Sequence, residues 1–318
     1  MLLASFVRVR DNAGMENWSD GSDTNAMNRV VILLGTNYSG SHLLSHLLSS
    51  HSACVGVGEL HRYTQLVAGD TSAPVVSQYT TSPLFADLEG LPISRWHEVI
   101  EQRIRDQLAI PAPVIIDNSK KIRWVEQVAQ GSRLDLRIVH LLRDPRALVL
   151  RWLNTYGAAK QRRTQRIRVA KRVPSRAVRI LLGNWSTVFT YKWLRENRQI
   201  SQFIARTRYP HAVVTYRDMV FDTQSMLTRL MPRFGLSFEP AQLRFGESNL
   251  HGTIKTAHAQ VVSQSEIRPD LKWQTQLDQS ASAAIVGNKD VVNYLKSLGL
   301  HCGSNGLQSI VDKAHGVS

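Results

Sequence analysis

Short apolar runs that end at glycine or at polar residues recur along the chain, and they predict buried β-strands. The first run, residues 30–34 (VVILL), is followed directly by Gly35. Later runs lie at residues 55–59, which could equally be a loop, and at residues 114–116, 138–142 and 213–216. Because successive positions in these runs are apolar, the sheet that they form should be parallel and covered on both faces.

Between the strands, apolar residues take the spacing of amphipathic helices. Four leucines within residues 43–48 fall on one helix face, and residues 94–108 repeat the pattern with Ser94 as the predicted N-cap. Further helices are predicted over residues 121–130, from Pro145 onward, over residues 185–205, and as one or two closing helices over residues 271–299. The alternation predicts a three-layer α/β fold, with a central parallel sheet flanked by helices and a mostly helical C-terminal part.

A single α/β domain over residues 29–300 accounts for this alternation. Residues 1–28 are polar and rich in turn formers, which predicts a flexible N-terminal tail, and residues 301–318 are interpreted as a C-terminal tail. Residues 158–179 form a basic insert with nine lysines and arginines and no acid. This insert either lines a cleft for an anionic acceptor, such as an acidic or sulfated glycan, or is a solvated helix or mobile segment.

The net charge points to an anionic partner. The chain has a formal charge of +14 and a pI near 10.2. Nucleotides, acidic glycans, nucleic acids and membrane surfaces would all satisfy such a charge. Nucleic acid is disfavoured because the basic insert has no interleaved aromatic residues.

Cysteine and histidine usage excludes several classes of site. Cys54 and Cys302 are too few for a disulfide scaffold or a CxxC metal site. The histidines at positions 42, 46, 51 and 61 lack the spacing of metal ligands, so core or surface roles are expected. No run approaches the ~20 apolar residues of a membrane span, and no clear signal peptide precedes the domain. We therefore predict a cytoplasmic protein without a transmembrane segment.

The loop between the first strand and the first helix, residues 35–41 (GTNYSGS), suits a phosphate. Strand, glycine loop and helix in this order aim backbone N–H groups and a helix N-terminus at an anion. Gly35 and Gly40 have the spacing of a Walker A loop, but Ser41 and His42 occupy the positions of its lysine and its Ser/Thr. An ATPase, GTPase or kinase-like enzyme is thereby disfavoured, although it stays an alternative.

Polar residues also follow the other predicted strands. Glu59, Lys120 and Arg143 each come directly after, or within a few residues of, an apolar run. The carboxyl ends of parallel strands lie at one edge of a sheet, where ligands of α/β proteins bind. These side chains are therefore expected to converge near the glycine loop.

The ordered set of motifs resembles the PAPS-dependent sulfotransferases of the bacterial, carbohydrate and tyrosylprotein types. Residues 38–44 (YSGSHLL) resemble the loop of that family that binds the 5′-phosphosulfate of 3′-phosphoadenosine 5′-phosphosulfate (PAPS), and residues 141–151 (LLRDPRALVLR) resemble its 3′-phosphate signature. Further matches are residues 117–120 (DNSK), 214–219 (VTYRDM) and 267–273 (IRPDLKW). The glycine-loop and YRD matches are weak when taken singly, RDPRA after a strand is moderately specific, and the ordered set is strong. The resemblance covers roughly residues 30–300 and implies a P-loop-like fold.

This resemblance implies transfer of a sulfuryl group from PAPS to a hydroxyl acceptor, a carbohydrate or a small metabolite. Glu59 would take the proton of the acceptor, and Lys120 would stabilise the leaving oxygen, so that no metal is required. The cofactor would be held by the loop residues Tyr38, Ser39, Gly40, Ser41 and His42, and by Arg143, Arg151, Tyr216 and Arg268.

Two residues depart from the family pattern. Tyr38 stands where the family has an arginine or lysine, and Arg151 stands where it has a serine, although arginine also binds phosphate well. The alternative is therefore a non-catalytic protein that binds PAPS, 3′,5′-ADP or another anion.

Ordinary structural roles also remain open for the site residues. Glu59 could be a surface carboxylate, and Lys121 could replace Lys120 in its role. Arg143 could form a structural ion pair with Asp144. Arg146 could also be structural, and Tyr216 and Arg268 could be a sheet tyrosine and a solvated arginine.

Overall fold

A computed structural model describes residues 28–69, 79, 81–245 and 266–310. The predicted N-terminal tail, apart from Asn28, and residues 311–318 lie outside the described residues. Five parallel strands form the central sheet: β1 (Arg29–Gly35), β2 (Cys54–Gly58), β3 (Val114–Asp117), β4 (Asp135–Leu142) and β5 (His211–Thr215). Their spatial order is β2-β3-β1-β4-β5, which confirms the parallel sheet.

The α-helices of the described chain lie between successive strands and after β5. The first four are α1 (Ser41–Ser49), α2 (Thr64–Val67), α3 (Ile93–Leu108) and α4 (Ile122–Ala129). After β4 come α5 (Pro145–Thr155), α6 (Ala159–Arg172), α7 (Ala177–Leu182) and α8 (Trp185–Thr207). After β5 come α9 (Tyr216–Phe221), α10 (Thr223–Leu230), α11 (Trp273–Gln276), α12 (Gln279–Val286) and α13 (Lys289–Ser297).

The two faces of the sheet bury alternate side chains of the central strand. Ile32 joins a core that includes α3 and α4, whereas Leu33 joins the core on the other face, with α1 and α10. Successive residues of a strand point to opposite faces, so an unbroken apolar run is needed when both faces are covered. This arrangement confirms the predicted three layers. A third core is formed by side chains of the helices α5, α6, α7 and α8 together with side chains of the C-terminal helices α11, α12 and α13.

Some local predictions need correction. Residues 300–309, assigned in part to a C-terminal tail, form an antiparallel hairpin of β6 (Leu300–Gly303) and β7 (Gly306–Ser309). Leu300 and Leu307 are buried in the third core, which explains why this segment is ordered. The α3 helix begins one residue before Ser94, with Pro92 as its N-cap. Tyr216 begins α9 rather than ending a strand, because the Thr215 side chain caps that helix.

Two core histidines make stability depend on pH. Burial lowers the pKa of His140 from 6.5 to about 4, against the opposing hydrogen bond with Asn197. Burial, aided by nearby His42, lowers the pKa of His46 to about 4 as well. The unfolded chain therefore binds more protons than the folded chain between these two pH values, and stability falls as the pH falls through that window. We expect a loss of roughly 3 kcal/mol per histidine.

Urea unfolding at a series of pH values tests this expectation. His140→Gln should flatten the decline between pH 6.5 and about 4, since the variant lacks one of the depressed groups. His301→Gln, at a partly exposed position of β6, serves as the control and should keep the wild-type slope. A His140→Gln slope equal to that of the wild type would contradict the assignment.

Candidate active site

The glycine loop turns between β1 and α1 through two residues with left-handed backbone conformation. Tyr38 has φ +70° and Gly40 has φ +99°. A Cβ on Gly40 would lie 2.8 Å from Cδ2 of Tyr216 and 2.9 Å from Cε of Met219. Ser39 is fully buried, and its Oγ has no hydrogen-bond partner within the described chain. The loop thus presents an unsatisfied hydroxyl next to the N-terminus of α1.

Gly40→Ala is expected to lower the free energy of unfolding by about 2–4 kcal/mol. The left-handed conformation strains a non-glycine residue by about 1–3 kcal/mol, and the clash with Tyr216 adds a comparable cost. Gly69→Ala is the matched control, because Gly69 has φ +79° but a Cβ added there would meet no atom within 4 Å. Equal losses in the two variants, measured by urea unfolding, would show that the contact with Tyr216 is unimportant.

Glu59 and Lys120, which follow β2 and β3, form a buried ion pair. Lys120 Nζ pairs with Glu59 Oε1, and their side chains are only 7% and 5% exposed. His42 Nε2 lies 3.5 Å from the same carboxylate oxygen and 3.4 Å from Lys120 Nζ. Arg62 Nε pairs with Glu59 Oε2. Lys120, and not its exposed neighbour Lys121, therefore forms the buried pair.

The charges around Glu59 control its protonation. Burial alone would raise the pKa of Glu59, but the hydrogen bond from His42 and the charges of Lys120 and Arg62 hold it far below its usual range. Burial lowers the pKa of Lys120, and the attraction of Glu59 opposes that shift. Glu59 is therefore ionised, and Lys120 is the buried cation that compensates it.

Asp117, at the end of β3, positions the loop that carries Lys120. Its fully buried carboxylate accepts hydrogen bonds from Trp124 Nε1 at 2.7 Å and from the backbone N–H of Ser119 at 2.9 Å. The Nε2 atom of His97 lies 3.0 Å from the same carboxylate. Lys120 has φ +60°, a strained conformation for a lysine that the surrounding contacts maintain. Asp117 thus has a structural role at the base of the site.

Arg143, which follows β4, connects the glycine loop to the C-terminal part of the chain. Its Nη1 donates to the carbonyl oxygen of Tyr38 at 2.9 Å, and its Nη2 donates to Asp270 Oδ2 at 2.8 Å. The guanidinium carbon lies 4.2 Å from the centroid of the Tyr216 ring. Arg143 Nε is buried without a hydrogen-bond partner in the described residues. The arginine therefore already holds one anion, the Asp270 carboxylate, and has donor capacity left.

The alternative of an Arg143–Asp144 ion pair is wrong. Asp144 pairs with Arg146 instead, with an Arg146 Nη2 to Asp144 Oδ2 distance of 2.7 Å. Arg146 also donates to the carbonyl oxygen of Gly303 at 2.5 Å, and its guanidinium carbon lies 3.9 Å from the centroid of the Trp273 ring. Arg146 is thus a structural residue that anchors the C-terminal hairpin.

The two residues that depart from the family pattern contact each other. The guanidinium carbon of Arg151 lies 4.6 Å from the centroid of the Tyr38 ring. The Tyr38 side chain is 41% exposed, so its outer face is accessible. A cation of α5 therefore lies next to position 38, in a cation–π contact with the tyrosine ring.

Two further residues predicted to bind the cofactor, Ser41 and Arg268, differ in their burial. Ser41 is buried and begins α1. Arg268 is exposed, and no hydrogen bond or ion pair joins it to the site in the part of the chain that the structure describes. Its cofactor role stays a prediction.

Three residues of the site could not be identified from the motifs. Asn118 Nδ2 lies 3.0 Å from His42 Nδ1, Arg62 pairs with Glu59, and Asp270 pairs with Arg143. Only Arg62 had a local signal, because it lies three residues after Glu59 and opposite charges at this spacing meet on a helical turn. Asp270 is separated from Arg143 by 127 residues, so no local pattern could pair them.

Two parts of the site are suited to anions. The glycine loop contains the buried and unpartnered Ser39 Oγ beside the N-terminus of α1. The carboxylate of Asp270 shows that an anion is accommodated beside Arg143.

Among the described residues, no group of three or more His, Cys, Asp or Glu is arranged to hold a metal ion. None of the helices described is long and apolar enough to span a membrane.

Known structures place the chain among the folds of sulfotransferases. No protein-family model and no curated protein sequence matches it. The sulfotransferase domain from the Synechococcus PCC 7002 olefin synthase is similar with a TM-score of 0.50 and 17% identity, over 83% of this chain and 94% of that chain. The chain therefore has a sulfotransferase-like fold, as the resemblance predicted.

Two further solved structures are similar to the chain. The sulfotransferase domain from the curacin biosynthetic pathway has a TM-score of 0.49 and 18% identity, over 86% of this chain and 97% of that chain. Mouse sulfotransferase SULT7A1 complexed with PAP has a TM-score of 0.44 and 11% identity, over 85% of this chain and 89% of that chain.

Proposed function

We propose that the protein is a sulfotransferase that moves a sulfuryl group from PAPS to a hydroxyl acceptor, a carbohydrate or a small metabolite. The observation that carries the proposal is the buried Lys120–Glu59 ion pair, which lies at the same sheet edge as the glycine loop and Arg143. Buried ion pairs are weak contributors to stability because desolvation offsets their attraction. A functional role explains this pair better than a structural one.

The cofactor site in this proposal consists of two anion-binding parts. Residues 38–42, with the N-terminus of α1, would hold the 5′-phosphosulfate through backbone N–H groups and the Ser39 hydroxyl. Arg143 and Arg151 would hold the 3′-phosphate. The Arg143 guanidinium packs against the face of the Tyr216 ring, which would keep it oriented. Arginine suits this task because its planar donors match phosphate oxygens.

Lys120 would provide the main electrostatic stabilisation. When bound, PAPS supplies the activated sulfuryl group. A buried cation in a water-poor site would stabilise the negative charge of the leaving oxygen strongly. Lys120 has the required burial, and Asp117 organises the backbone of the loop that carries it.

Glu59 would accept the proton of the acceptor hydroxyl. While it is paired with Lys120 and Arg62, its depressed pKa makes it a weak base. A Lys120 side chain that turns towards an anionic ligand would leave Glu59 with fewer cations, and the pKa of Glu59 would rise. His42, which lies 3.5 Å from the carboxylate, would keep it oriented during this change.

A second candidate function is a protein that binds PAPS, 3′,5′-ADP or another anion without catalysis. Tyr38 favours it, since an aromatic ring stands where the family has a cation. Assays of the wild type and Tyr38→Arg with radiolabelled PAPS and a panel of hydroxyl acceptors separate the two. Turnover by the wild type supports the enzyme, whereas turnover only by the variant supports the silent binder.

A thermal-shift comparison tests the cofactor class directly. We expect 3′,5′-ADP to raise the melting temperature of the full chain more than ATP with Mg²⁺ does. A ligand at 100 times its Kd stabilises the folded state by about 2.7 kcal/mol, which corresponds to a shift of roughly 5 °C in a chain of this size. No shift with 3′,5′-ADP would contradict the proposal, and a larger shift with ATP would favour the kinase-like alternative.

A further inference from the structure

The basic insert, together with the rest of the α7 helix in which it ends, carries the most exposed large apolar side chains of the described chain. Leu182 is 83% exposed and Val178 is 71% exposed, and both lie on α7. Leu181 on the same helix and Ile167 on α6 are 45% and 41% exposed. Scattered exposed leucines are ordinary, but a group of them on two neighbouring helices marks a surface for interaction.

The α7 helix is oriented so that its apolar residues face outward. Val178, Leu181 and Leu182 have the i, i+3, i+4 spacing of one helix face. Ile180, between them, is fully buried and packs in the third core together with Val169 of α6. The core therefore holds α7 by Ile180 and leaves the other three side chains at the surface.

Internal contacts keep this surface rigid. Arg166 Nη1 donates to the carbonyl oxygen of Leu181 at 2.7 Å, which satisfies a carbonyl in the last turn of α7. The guanidinium carbon of Arg166 also lies 4.0 Å from the centroid of the Trp185 ring at the start of α8. The exposed side chains are therefore displayed on a preformed support.

Unpaired positive charges surround these apolar residues. Residues 158–183 contain no acid. Arg162 and Arg176 are engaged by Tyr156 and Asp290 respectively. Six further cations of the insert form neither an ion pair nor a side-chain hydrogen bond with any described residue: Lys160, Arg163, Arg168, Lys171, Arg172 and Arg179. Arg163 and Lys171 lie one helical turn on either side of Ile167, so charge and apolar surface are interleaved.

We propose that α6 and α7 dock the protein on an anionic phospholipid bilayer. Cations would contact the lipid phosphates, and the exposed side chains of α7 would enter the boundary between headgroups and acyl chains. Acidic glycans and nucleic acids match the charge but offer no apolar environment for Leu182 and Val178. The α6–α7 surface presents both features together, which favours a bilayer. This proposal is independent of the catalytic one.

Co-sedimentation of the full chain with vesicles tests the proposal. We expect binding to vesicles of phosphatidylcholine mixed with phosphatidylglycerol, weak binding to phosphatidylcholine alone, and a decline as salt is added. Val178→Ser/Leu182→Ser should weaken binding roughly tenfold or more, because two apolar side chains lose their burial in lipid. Arg163→Glu/Lys171→Glu should weaken it about fivefold or more for each cation.

Matched controls keep this experiment specific. Val67→Ser replaces a 48% exposed valine outside the insert, and Lys296→Glu replaces an exposed lysine of α13. Both should bind like the wild type, and circular dichroism should show that all variants are folded. Absence of binding to the anionic vesicles would overturn the proposal. So would binding to heparin, but not to vesicles, that is unaffected by Val178→Ser/Leu182→Ser, since it would assign the surface to an anionic glycan.

Discussion

Lys120→Ala is expected to lower the rate of sulfuryl transfer by about 10²–10³-fold, the usual effect of removing a preorganised charge that stabilises a leaving oxygen. Binding of 3′,5′-ADP should be retained, because Arg143 and the glycine loop do not depend on the Lys120 side chain for their contacts. Single-turnover kinetics with PAPS and calorimetry with 3′,5′-ADP measure the two effects separately.

Removal of Lys120 leaves the buried Glu59 with less compensation, and the variant could lose stability for that reason alone. Lys120→Met combined with Glu59→Gln removes both charges, and this double variant should fold while remaining inactive. Lys121→Ala, at the exposed neighbouring lysine, should keep full activity. A folded Lys120→Ala protein with wild-type turnover would show that Lys120 has no catalytic role.

Arg143→Ala is expected to weaken binding of 3′,5′-ADP by about 10²-fold, because a charged donor to a phosphate contributes roughly 1.5–3 kcal/mol per hydrogen bond. Asp270→Asn should have the opposite effect on the affinity for 3′,5′-ADP. It removes the carboxylate that competes with a phosphate for Arg143 Nη2 at 2.8 Å, so the affinity for 3′,5′-ADP should rise. Isothermal titration calorimetry of the two variants checks both directions.

Arg133→Ala is the control for Arg143→Ala. Arg133 is exposed and precedes β4, so it lies near the opposite edge of the sheet. Its replacement should leave the affinity unchanged. Equal affinities in wild type, Arg143→Ala and Asp270→Asn would show that the 3′-phosphate is bound elsewhere.

The Tyr38–Arg151 contact illustrates a limit of comparing motifs in sequence. Each residue is, in the sequence, an isolated departure from the family pattern, one losing a cation and the other gaining one. In the structure the two side chains form a 4.6 Å cation–π contact. Because they lie on different elements, the loop before α1 and the helix α5, sequence spacing could not relate them.

The local signals in the sequence were sufficient for the sheet, most of the helices and the glycine loop. Unbroken apolar runs encode buried strands, and residues with special backbone needs, such as Gly40 with φ +99°, mark the turn between strand and helix. The polar residues after successive strands could be expected at one edge, because parallel strands align their carboxyl ends.

Contacts between residues far apart in the chain are determined by three-dimensional packing alone. The pairing of Arg143 with Asp270 and the folding of residues 300–309 against the third core have no local pattern. Ion pairs and hydrophobic contacts depend on distance in space, whereas sequence periodicity reports only which face of one element is buried. The sequence by itself therefore determined most of the strands and helices and their order, and packing determined which charges meet.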